Sequence, residues 1–273
     1  MPKFICTTCG IQYPEAGLPP EDCVICTEER QYVGWKGQLW STLDEMRVTH
    51  RNRLEPEGKG VVGIGTEPTF AIGQRALLLR TTAGGVLWDC LSLVDDATVA
   101  AVQALGGITA IAISHPHFYG SMLEWSSAFG GVPVYLNAAD RAWILREGPA
   151  IRFWEGTKLE IAPGVTLIHC GGHFAGSAVL HWAQGAEGLG VLCTSDTIMV
   201  SQDRHTVSFM YSYPNLIPLN PRAVDRIVAA VEPFEFEQIY GGWFGKNVLE
   251  NGKQAVRYSA RRYLHAIGDR AQG

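Results

Sequence analysis

Two pairs of closely spaced cysteines near the N-terminus constrain the fold of this chain more than any other feature of its sequence. Cys6 and Cys9 form one C-x2-C pair, and after thirteen residues Cys23 and Cys26 form a second. Two residues between cysteines let the backbone turn so that both sulfurs face one ion, and two such pairs complete a tetrahedron of thiolates. We therefore expect residues 1–35 to form a small module built around a metal ion.

The size of this module explains why it needs an ion. A segment of about 35 residues is too short to support its own core, whereas metal binding contributes about 10–16 kcal/mol in small zinc modules. The segment resembles a short zinc ribbon or a rubredoxin-type pair of knuckles. Structural Zn is the occupant that we expect, and the alternatives are iron in a rubredoxin-like site or cysteines without metal.

The composition indicates a folded protein that binds neither nucleic acid nor a membrane. The 273 residues suit one large domain with a small one, and the 47% hydrophobic and 18% charged residues exclude an intrinsically disordered chain. The net charge of −5 has the opposite sign to a phosphate-binding surface. The first residues, MPKFICTTCG, lack the apolar run of a signal peptide, and we find no stretch of about 20 apolar residues. We expect a cytoplasmic protein, in which a cysteine cluster binds metal more often than it forms disulfides.

Between the module and the main domain, the sequence predicts a connecting helix and a linker over residues 36–60. A helix is indicated because one helical face carries Leu39, Trp40, Leu43 and Met46. Residues 54–60, LEPEGKG, combine Pro, Gly and charge, which is typical of a domain boundary. The main domain is then expected over residues 61–273.

The main domain alternates strands and helices in two successive runs. Short β-prone segments indicate strands at residues 76–80, 86–89, 108–114, 132–136, 165–170, 178–182, 189–194 and 236–240. The spacing of apolar residues predicts helices at residues 97–105, 121–129 and 222–231. This order predicts an α/β fold in which two sheets pack face to face with helices outside.

Four loops that follow predicted strands carry the polar residues on which chemistry could depend. They are SHPHFYG at residues 114–120, GGHFAGS at 171–177, TSDT at 194–197 and IYGGWFG at 239–245. Ligand sites of layered α/β folds lie on loops of this kind. Residues i and i+2 of an extended segment project to the same side, so His115 and His117 could share an ion.

Taken in order, these segments resemble the metallo-β-lactamase superfamily over roughly residues 60–250. Members of that superfamily share an αββα sandwich and bind one or two metals between its sheets. Their motifs are a strand-ending Asp, then H-x-H-x-D-H, a His in a G-G-H turn, a later Asp and a final His. Five of these positions are matched here, by Asp89, His115, His117, His173 and Asp196. The resemblance implies a metallo-β-lactamase-like αββα sandwich after the zinc-ribbon-like module.

Three positions depart from the superfamily pattern, and all three normally serve the second metal. Tyr119 and Gly120 stand in place of the D-H pair, and Trp243 stands in place of the final His. The resemblance therefore implies a mononuclear centre, in which the three matched histidines bind Zn or another divalent transition metal. Asp196 is then either a fourth ligand or the residue that orients the attacking water.

This centre suits hydrolysis. Three neutral imidazoles leave the metal its dipositive charge, so a bound water can ionise near pH 7. Tyr119 has an ordinary pKa near 10 and is a poor base, but it could donate a hydrogen bond to a developing oxyanion. The alternative for this tyrosine is a packing or substrate contact.

Aromatic side chains of neighbouring loops, and one histidine, are the expected substrate contacts. We single out Phe118, Trp243 and His205, because an aromatic pocket with few cations suits a small acyl compound better than a polyphosphate. The remaining histidines and cysteines are expected to be surface, hydrogen-bonded or packing residues; they are His50, His169, His181, His265, Cys90, Cys170 and Cys193.

Two classes of function follow from these residues. The first is a metal-dependent hydrolase of a small ester, lactone or thioester, in which Asp196 and Tyr119 assist a single metal ion. The second is a non-hydrolytic ligand-binding or regulatory protein on a degenerate metallo-β-lactamase scaffold. Redox chemistry with iron at the cysteines and histidines is a third reading, and an iron–thiolate site would absorb visible light whereas a zinc site would not.

Overall fold

A computed structural model describes residues 1–268 of the chain. It begins with a three-stranded antiparallel sheet in the order β2-β1-β3, formed by β1 (Lys3–Cys6), β2 (Gln12–Glu15) and β3 (Trp40–Ser41). We call residues 1–41, which contain this sheet and all four clustered cysteines, the cysteine module. Its four cysteines are buried together with Ile11, Tyr13 and Ile25, in an apolar cluster that continues into the main body of the protein.

Helix α1 (Leu43–Thr49) joins the cysteine module to the rest of the molecule. Thr42 and Glu45 form a reciprocal capping box that fixes its start, and Met46 is buried against Ile5 of β1 and Leu93. The helix is therefore shorter than predicted, because Leu39 and Trp40, which were expected on its apolar face, precede its first residue. Trp40 instead pairs with Cys6 across the β1–β3 ladder.

The first sheet of the main body has seven strands in the order β10-β9-β8-β7-β6-β5-β4. The strands are β4 (Arg51–Gly58), β5 (Val61–Glu67), β6 (Arg75–Thr81), β7 (Gly84–Trp88), β8 (Ala110–Ala112), β9 (Val134–Asn137) and β10 (Ile151–Trp154). Helix α2 (Asp96–Ala104) connects β7 to its parallel neighbour β8, and α3 (Met122–Ala128) connects β8 to β9.

The boundary expected at residues 54–60 is wrong, because most of this segment lies in β4. Leu54 pairs with Ile64 and Pro56 with Val62 of β5, so the sheet begins at Arg51. β4 is an edge strand, where one side of the backbone needs no partner and a proline is tolerated. The composition of the segment reflects an exposed edge.

The second sheet has six strands in the order β11-β12-β13-β14-β19-β20. Its first four strands are β11 (Lys158–Ala162), β12 (Val165–His169), β13 (Ala178–Trp182) and β14 (Val191–Cys193). Two small hairpins follow, formed by β15 (Met199–Val200), β16 (Val207–Ser208), β17 (Met210–Ser212) and β18 (Ile217–Pro218). The remaining elements are α4 (Pro221–Val231), β19 (Gln238–Tyr240), β20 (Asn247–Val248) and α5 (Gly252–Ala266).

The two large sheets share one core, which confirms the predicted αββα sandwich. Leu77 and Trp88 of the first sheet pack in the same buried cluster as Leu167, Leu180 and Cys193 of the second. Helices α2 and α3 cover the outer face of the first sheet, and α4 and α5 cover that of the second. No helix among residues 1–268 is long and apolar enough to cross a membrane.

Candidate metal sites

The two histidines of the H-x-H segment follow β8, at the edge where the sheet ends. His115 is fully extended, and a short 3-10 turn, Pro116–Phe118, then brings His117 to the same side. Gly120, three residues after His117, has φ +48°. A Cβ added at this position would lie 2.6 Å from the Leu91 carbonyl oxygen. A histidine side chain therefore does not fit at this position, which agrees with the loss of the second-metal ligand implied by the sequence.

His173 and Asp196 come from the second sheet. His173 lies in the turn between β12 and β13, where Gly172 has φ +90° and an added Cβ would approach Ile227 of α4 to 2.9 Å. The glycine thus lets α4 press against the turn that carries the histidine. Asp196 follows β14, directly after Ser195 in a left-handed conformation.

The four side chains converge on one point, and we call them the histidine–aspartate cluster. His117 Nδ1 lies 3.2 Å from His173 Nε2, and His115 Nε2 lies 3.4 Å from Asp196 Oδ2. The other two nitrogens are each 3.9 Å from Asp196 Oδ2, and all four ligand atoms lie within 4.8 Å of one another. Nitrogen ligands about 2.0–2.1 Å from a tetrahedral Zn are separated by about 3.3 Å. The spacing therefore fits one ion.

The surroundings of the cluster leave its ligand atoms free for a metal. The Met210 carbonyl lies 3.2 Å from His173 Nδ1 and accepts a hydrogen bond from it, and in this tautomer Nε2 keeps its lone pair. Ser114 Oγ lies 2.9 Å from His115 Nδ1. His115 Nε2 and Asp196 Oδ1 are buried without a hydrogen-bond partner in the described chain, an arrangement that a bound cation would satisfy.

Burial and mutual contact set the charges of the cluster. Burial lowers the pKa of His115 to about 4 despite the neighbouring Asp196, and burial also lowers that of His173 well below its usual value. For Asp196 burial acts in the opposite direction, but contacts with His115 and His117 outweigh it and hold the pKa of the carboxyl below its usual range. Neutral imidazoles at His115 and His173 and an ionised carboxylate at Asp196 are the protonation states that a divalent cation requires.

Asp89, the first matched aspartate, braces the cluster without joining it. Its Oδ1 accepts a 2.8 Å hydrogen bond from the Ser114 backbone, and its Oδ2 accepts one from the Ser195 hydroxyl. The Trp88 indole donates to the same hydroxyl at 3.2 Å. One carboxylate thus ties the loop that carries His115 to the loop that carries Asp196, and burial raises its pKa to about 7.

The four-cysteine cluster is also buried and has the spacing of a metal site. Cys6 Sγ lies 3.5 Å from Cys26 Sγ, and Cys9 Sγ lies 3.6 Å from Cys23 Sγ. Sulfurs about 2.3 Å from a tetrahedral Zn are separated by about 3.8 Å. The Gln38 amide donates to Cys6 Sγ at 3.2 Å, and interactions with the other cysteines lower the pKa of Cys6. Both clusters could therefore hold a metal ion.

The other residues proposed from sequence lie in different surroundings. Phe118 is buried with its ring 5.1 Å from that of His115, and Trp243 packs on Phe118 while its indole donates to the Ile72 carbonyl. Tyr119 is buried, and it lines a small cavity against Gln12 of the cysteine module. His205 lies on an exposed turn and lines a groove of about 550 Å³ whose walls include no member of the histidine–aspartate cluster.

The remaining three cysteines and three of the remaining histidines have packing or hydrogen-bonding roles, as expected from the sequence. Cys90, Cys170 and Cys193 are buried in the three large apolar clusters. Hydrogen bonds are made by His50, His169 and His181.

Sequence reasoning missed the aromatic and charged residues that cover the histidine–aspartate cluster. The Phe174 ring lies 4.9 Å from that of His117 and 5.2 Å from that of His173. The Arg30 guanidinium, from the cysteine module, lies 4.0 Å from the Phe174 centroid and donates to the His173 carbonyl at 3.1 Å. Phe174 could have been found as the neighbour of His173, but nothing near Arg30 in the sequence indicates this contact.

Comparisons with known proteins agree with the architecture. No family model matches the chain. Among solved structures, it is similar to a B3 metallo-beta-lactamase with an active-site glutamic acid, with 16% identity and a TM-score of 0.53 over 80% of this chain and 89% of that one. It is also similar to the DIM-1 metallo-beta-lactamase, with 11% identity and a TM-score of 0.58 over 79% and 98% of the two chains. These likenesses show the fold.

A much closer relative in sequence is the uncharacterized protein YmaE of Bacillus subtilis (strain 168). The two chains are 47% identical over 269 residues, which cover 98% of this chain and 97% of YmaE. The alignment therefore spans both the cysteine module and the sandwich. The chain belongs to the same family as YmaE, and its main body has the metallo-β-lactamase fold.

Proposed function

We propose that the protein is a metal-dependent hydrolase of a small acyl compound, of the ester, lactone or thioester class. The observation that carries this proposal is the convergence of three imidazole nitrogens and one carboxylate oxygen at tetrahedral spacing. A divalent transition ion held there would supply Lewis-acid activation of water near neutral pH. The metal is Zn or another ion that imidazole nitrogens favour.

The chain's own residues would then have separate roles. His115, His117 and His173 hold the ion, and the Met210 carbonyl fixes the orientation of the last of these rings. Asp196 has two oxygens, of which Oδ2 faces the three nitrogens and Oδ1 has no partner among the described residues. Oδ2 is therefore suited to bind the ion while Oδ1 accepts a proton from the attacking water.

Tyr119 is proposed as the hydrogen-bond donor to the oxyanion. Burial raises the pKa of its hydroxyl well above the usual value, so it would be protonated at every physiological pH and able to donate. Phe118 and Trp243 remain the proposed substrate contacts, whereas His205 lines a separate groove and is no longer proposed as one. The mononuclear site implies that phosphodiesters, whose cleavage profits from two ions, are poor substrates.

The discriminating experiment combines metal analysis with a substrate panel. The metal-loaded protein is assayed with chromogenic esters, lactones, thioesters and phosphodiesters, beside His173→Ala and the matched control His50→Ala. We expect hydrolysis of an acyl substrate that is lost in His173→Ala and retained in His50→Ala. Hydrolysis by neither the parent nor the control would overturn the proposal.

One observation favours the alternative of a non-hydrolytic binding or regulatory protein. The cluster residues are almost without solvent contact, with exposed fractions of 1% for His115, 3% for His117, 0% for His173 and 4% for Asp196. A site that only retains a metal needs no path for a substrate. Under this alternative the protein binds its ion in the cluster but hydrolyses nothing in the panel.

A further inference from the structure

Residues 28–31, which follow the last cysteine of the cysteine module, lie against the loops of the histidine–aspartate cluster. We call these four residues the strap. The Ser212 hydroxyl donates to the Arg30 carbonyl at 3.1 Å, and the Asn215 amide donates to the carbonyls of Glu29 and Gln31 at 2.9 and 3.0 Å. The Tyr211 hydroxyl donates to the Glu29 carboxylate. Three consecutive strap residues, Glu29, Arg30 and Gln31, are therefore bonded to residues 211–215.

The side chain of Arg30 covers the cluster. Its guanidinium lies over the rings of Phe174, Tyr211 and Trp143, at 4.0, 5.1 and 5.7 Å from the three centroids. The Phe174 ring in turn contacts the rings of all three histidine ligands, at distances between 4.9 and 5.5 Å. Arg30, Phe174 and the imidazoles thus form successive layers, with the strap outermost.

The charge of Arg30 is neutralised within the strap. Glu28 accepts two hydrogen bonds from the guanidinium, at 2.8 Å from Nε and 2.7 Å from Nη2, and both side chains are largely buried. A third nitrogen donates to the His173 carbonyl. Removing one member of such a pair leaves the other charge buried without compensation, so the pair seats the strap in one position.

The path of the strap is set by the second pair of cysteines. Cys26 is two residues from Glu28, and the Cys23 carbonyl accepts hydrogen bonds from the backbone nitrogens of Cys26 and Thr27. The Thr27 hydroxyl donates to the same carbonyl at 3.1 Å. The turn at residues 23–27, which would present two sulfurs to an ion, therefore also sets the direction in which the strap runs toward the sandwich.

We propose that the strap is a closing device, which shields the histidine–aspartate cluster and must lift from residues 211–215 before anything reaches the ion. The four-cysteine cluster holds the strap in this closed position. Loss of the metal bound by the cysteines would therefore open the histidine–aspartate cluster. The strap is suited to this movement because it is fastened mainly by hydrogen bonds, which water can replace, whereas the sandwich is held by buried apolar side chains. Only the entry of a substrate rests on the proposed hydrolase function, since closure acts on any ligand of the cluster.

The test measures how fast a chelator removes Co2+ from the histidine–aspartate cluster. Co2+ bound by thiolates has an intense near-ultraviolet charge-transfer band, whereas Co2+ bound by imidazole and carboxylate has only weak visible bands, so the two sites are followed separately. Asn215→Ala removes two of the bonds that hold the strap, and we expect Co2+ to leave the cluster about tenfold faster. Gln202→Ala, an exposed amide on the loop before β16, should leave the rate unchanged.

A second arm tests the link to the cysteines. Cys23→Ser should accelerate loss of Co2+ from the histidine–aspartate cluster by at least as much as Asn215→Ala. Hydrogen–deuterium exchange of residues 28–31 reports independently whether each variant has loosened the strap. Rates equal to the parent's in variants whose strap exchanges faster would overturn the proposal. Because no step of this test requires turnover, its outcome is separate from that of the hydrolase proposal.

Discussion

The two candidate metal sites of this protein are built in opposite ways. The four cysteines lie within the first 26 residues, on a module whose three strands are between two and four residues long. The histidines and Asp196 are spread over residues 115–196 and stand on loops of two sheets that already share a large apolar core. The first site lies in a small module at the margin of an apolar cluster, and the second lies on loops at the end of a core that two sheets share.

This difference indicates how much each ion would contribute to the stability of the part of the chain that binds it. In the cysteine module, a metal bound by the four thiolates would provide free energy that the short strands cannot supply. In the sandwich, side chains such as Leu77, Trp88 and Leu180 are fully or almost fully buried in an apolar cluster that includes none of the four candidate ligands. We therefore expect the module to unfold without its ion and the sandwich to stay folded without its own.

The largest effect is expected at the cysteines. Cys23→Ser removes one of four thiolates, and with it most of the roughly 10–16 kcal/mol that a small zinc module gains from its metal. Residues 1–35 should become protease-sensitive and lose their ion while the sandwich resists digestion. Cys170→Ala, which alters a lone buried thiol, is the matched control and should keep the module intact. A chelator-resistant N-terminus in Cys23→Ser would refute this view of the module.

The next effect is loss of the other ion without unfolding. His117→Ala should release the metal of the histidine–aspartate cluster, leave that of the cysteines, and lower the melting temperature only slightly. Elemental analysis with thermal unfolding checks both points. Two ions about 3.5 Å apart in the parent protein would show that a second site exists beside the first and would contradict the mononuclear assignment.

A smaller effect is expected from Tyr119→Phe, which keeps the ring and removes the hydroxyl. If the hydroxyl donates to the oxyanion, turnover should fall by about 10²–10³ with no change in metal content. Tyr263→Phe, which removes a hydroxyl that donates to the Leu219 carbonyl, is the matched control and should keep full turnover. Full activity of Tyr119→Phe would assign this tyrosine to packing alone.

The smallest effect concerns pH and the brace beneath the histidine–aspartate cluster. Burial raises the pKa of Asp89 from 3.8 to about 7, so the folded protein binds this proton more tightly than the unfolded chain does. The contribution of Asp89 to stability is therefore greatest in acid and decreases as the pH rises from about 4 to about 7. Asp89→Asn should flatten that part of the profile of unfolding free energy against pH. An unchanged slope in chemical denaturation would exclude Asp89 as its source.

The parts of the fold that follow from sequence are those with a strong local signal. The paired strands β6 and β7 lie where two short apolar runs around a turn predict them, and α4 begins at Pro221 after its Asn220 cap. Helix α5 was missed because its buried side chains, such as Ala255, Ser259 and Ala260, are small and give little apolar signal. β4 was missed because an edge strand carries the charges and proline that are also typical of a linker.

The candidate site divides in the same way. Its candidate ligands lie on loops that follow strands, so spacing and resemblance together predicted the four side chains that the structure brings together. The contact of Arg30 with the His173 carbonyl joins residues 143 positions apart, and no local pattern encodes it. Such contacts depend on how the cysteine module docks on the sandwich, which only the folded structure shows.

The position of the strap also has a consequence for the order of events during synthesis. Translation proceeds at about 5–20 residues per second, so the strap leaves the ribosome roughly 10–40 s before its farthest anchor, Asn215. Asp196, the last of the four candidate ligands, is synthesised 215 − 196 = 19 residues before that anchor, whereas β19, the strand beside β14, is synthesised after it. The anchor is therefore present before the second sheet can be complete. Under the strap proposal, an ion can enter the cluster either while this sheet is still forming or later, when the strap lifts.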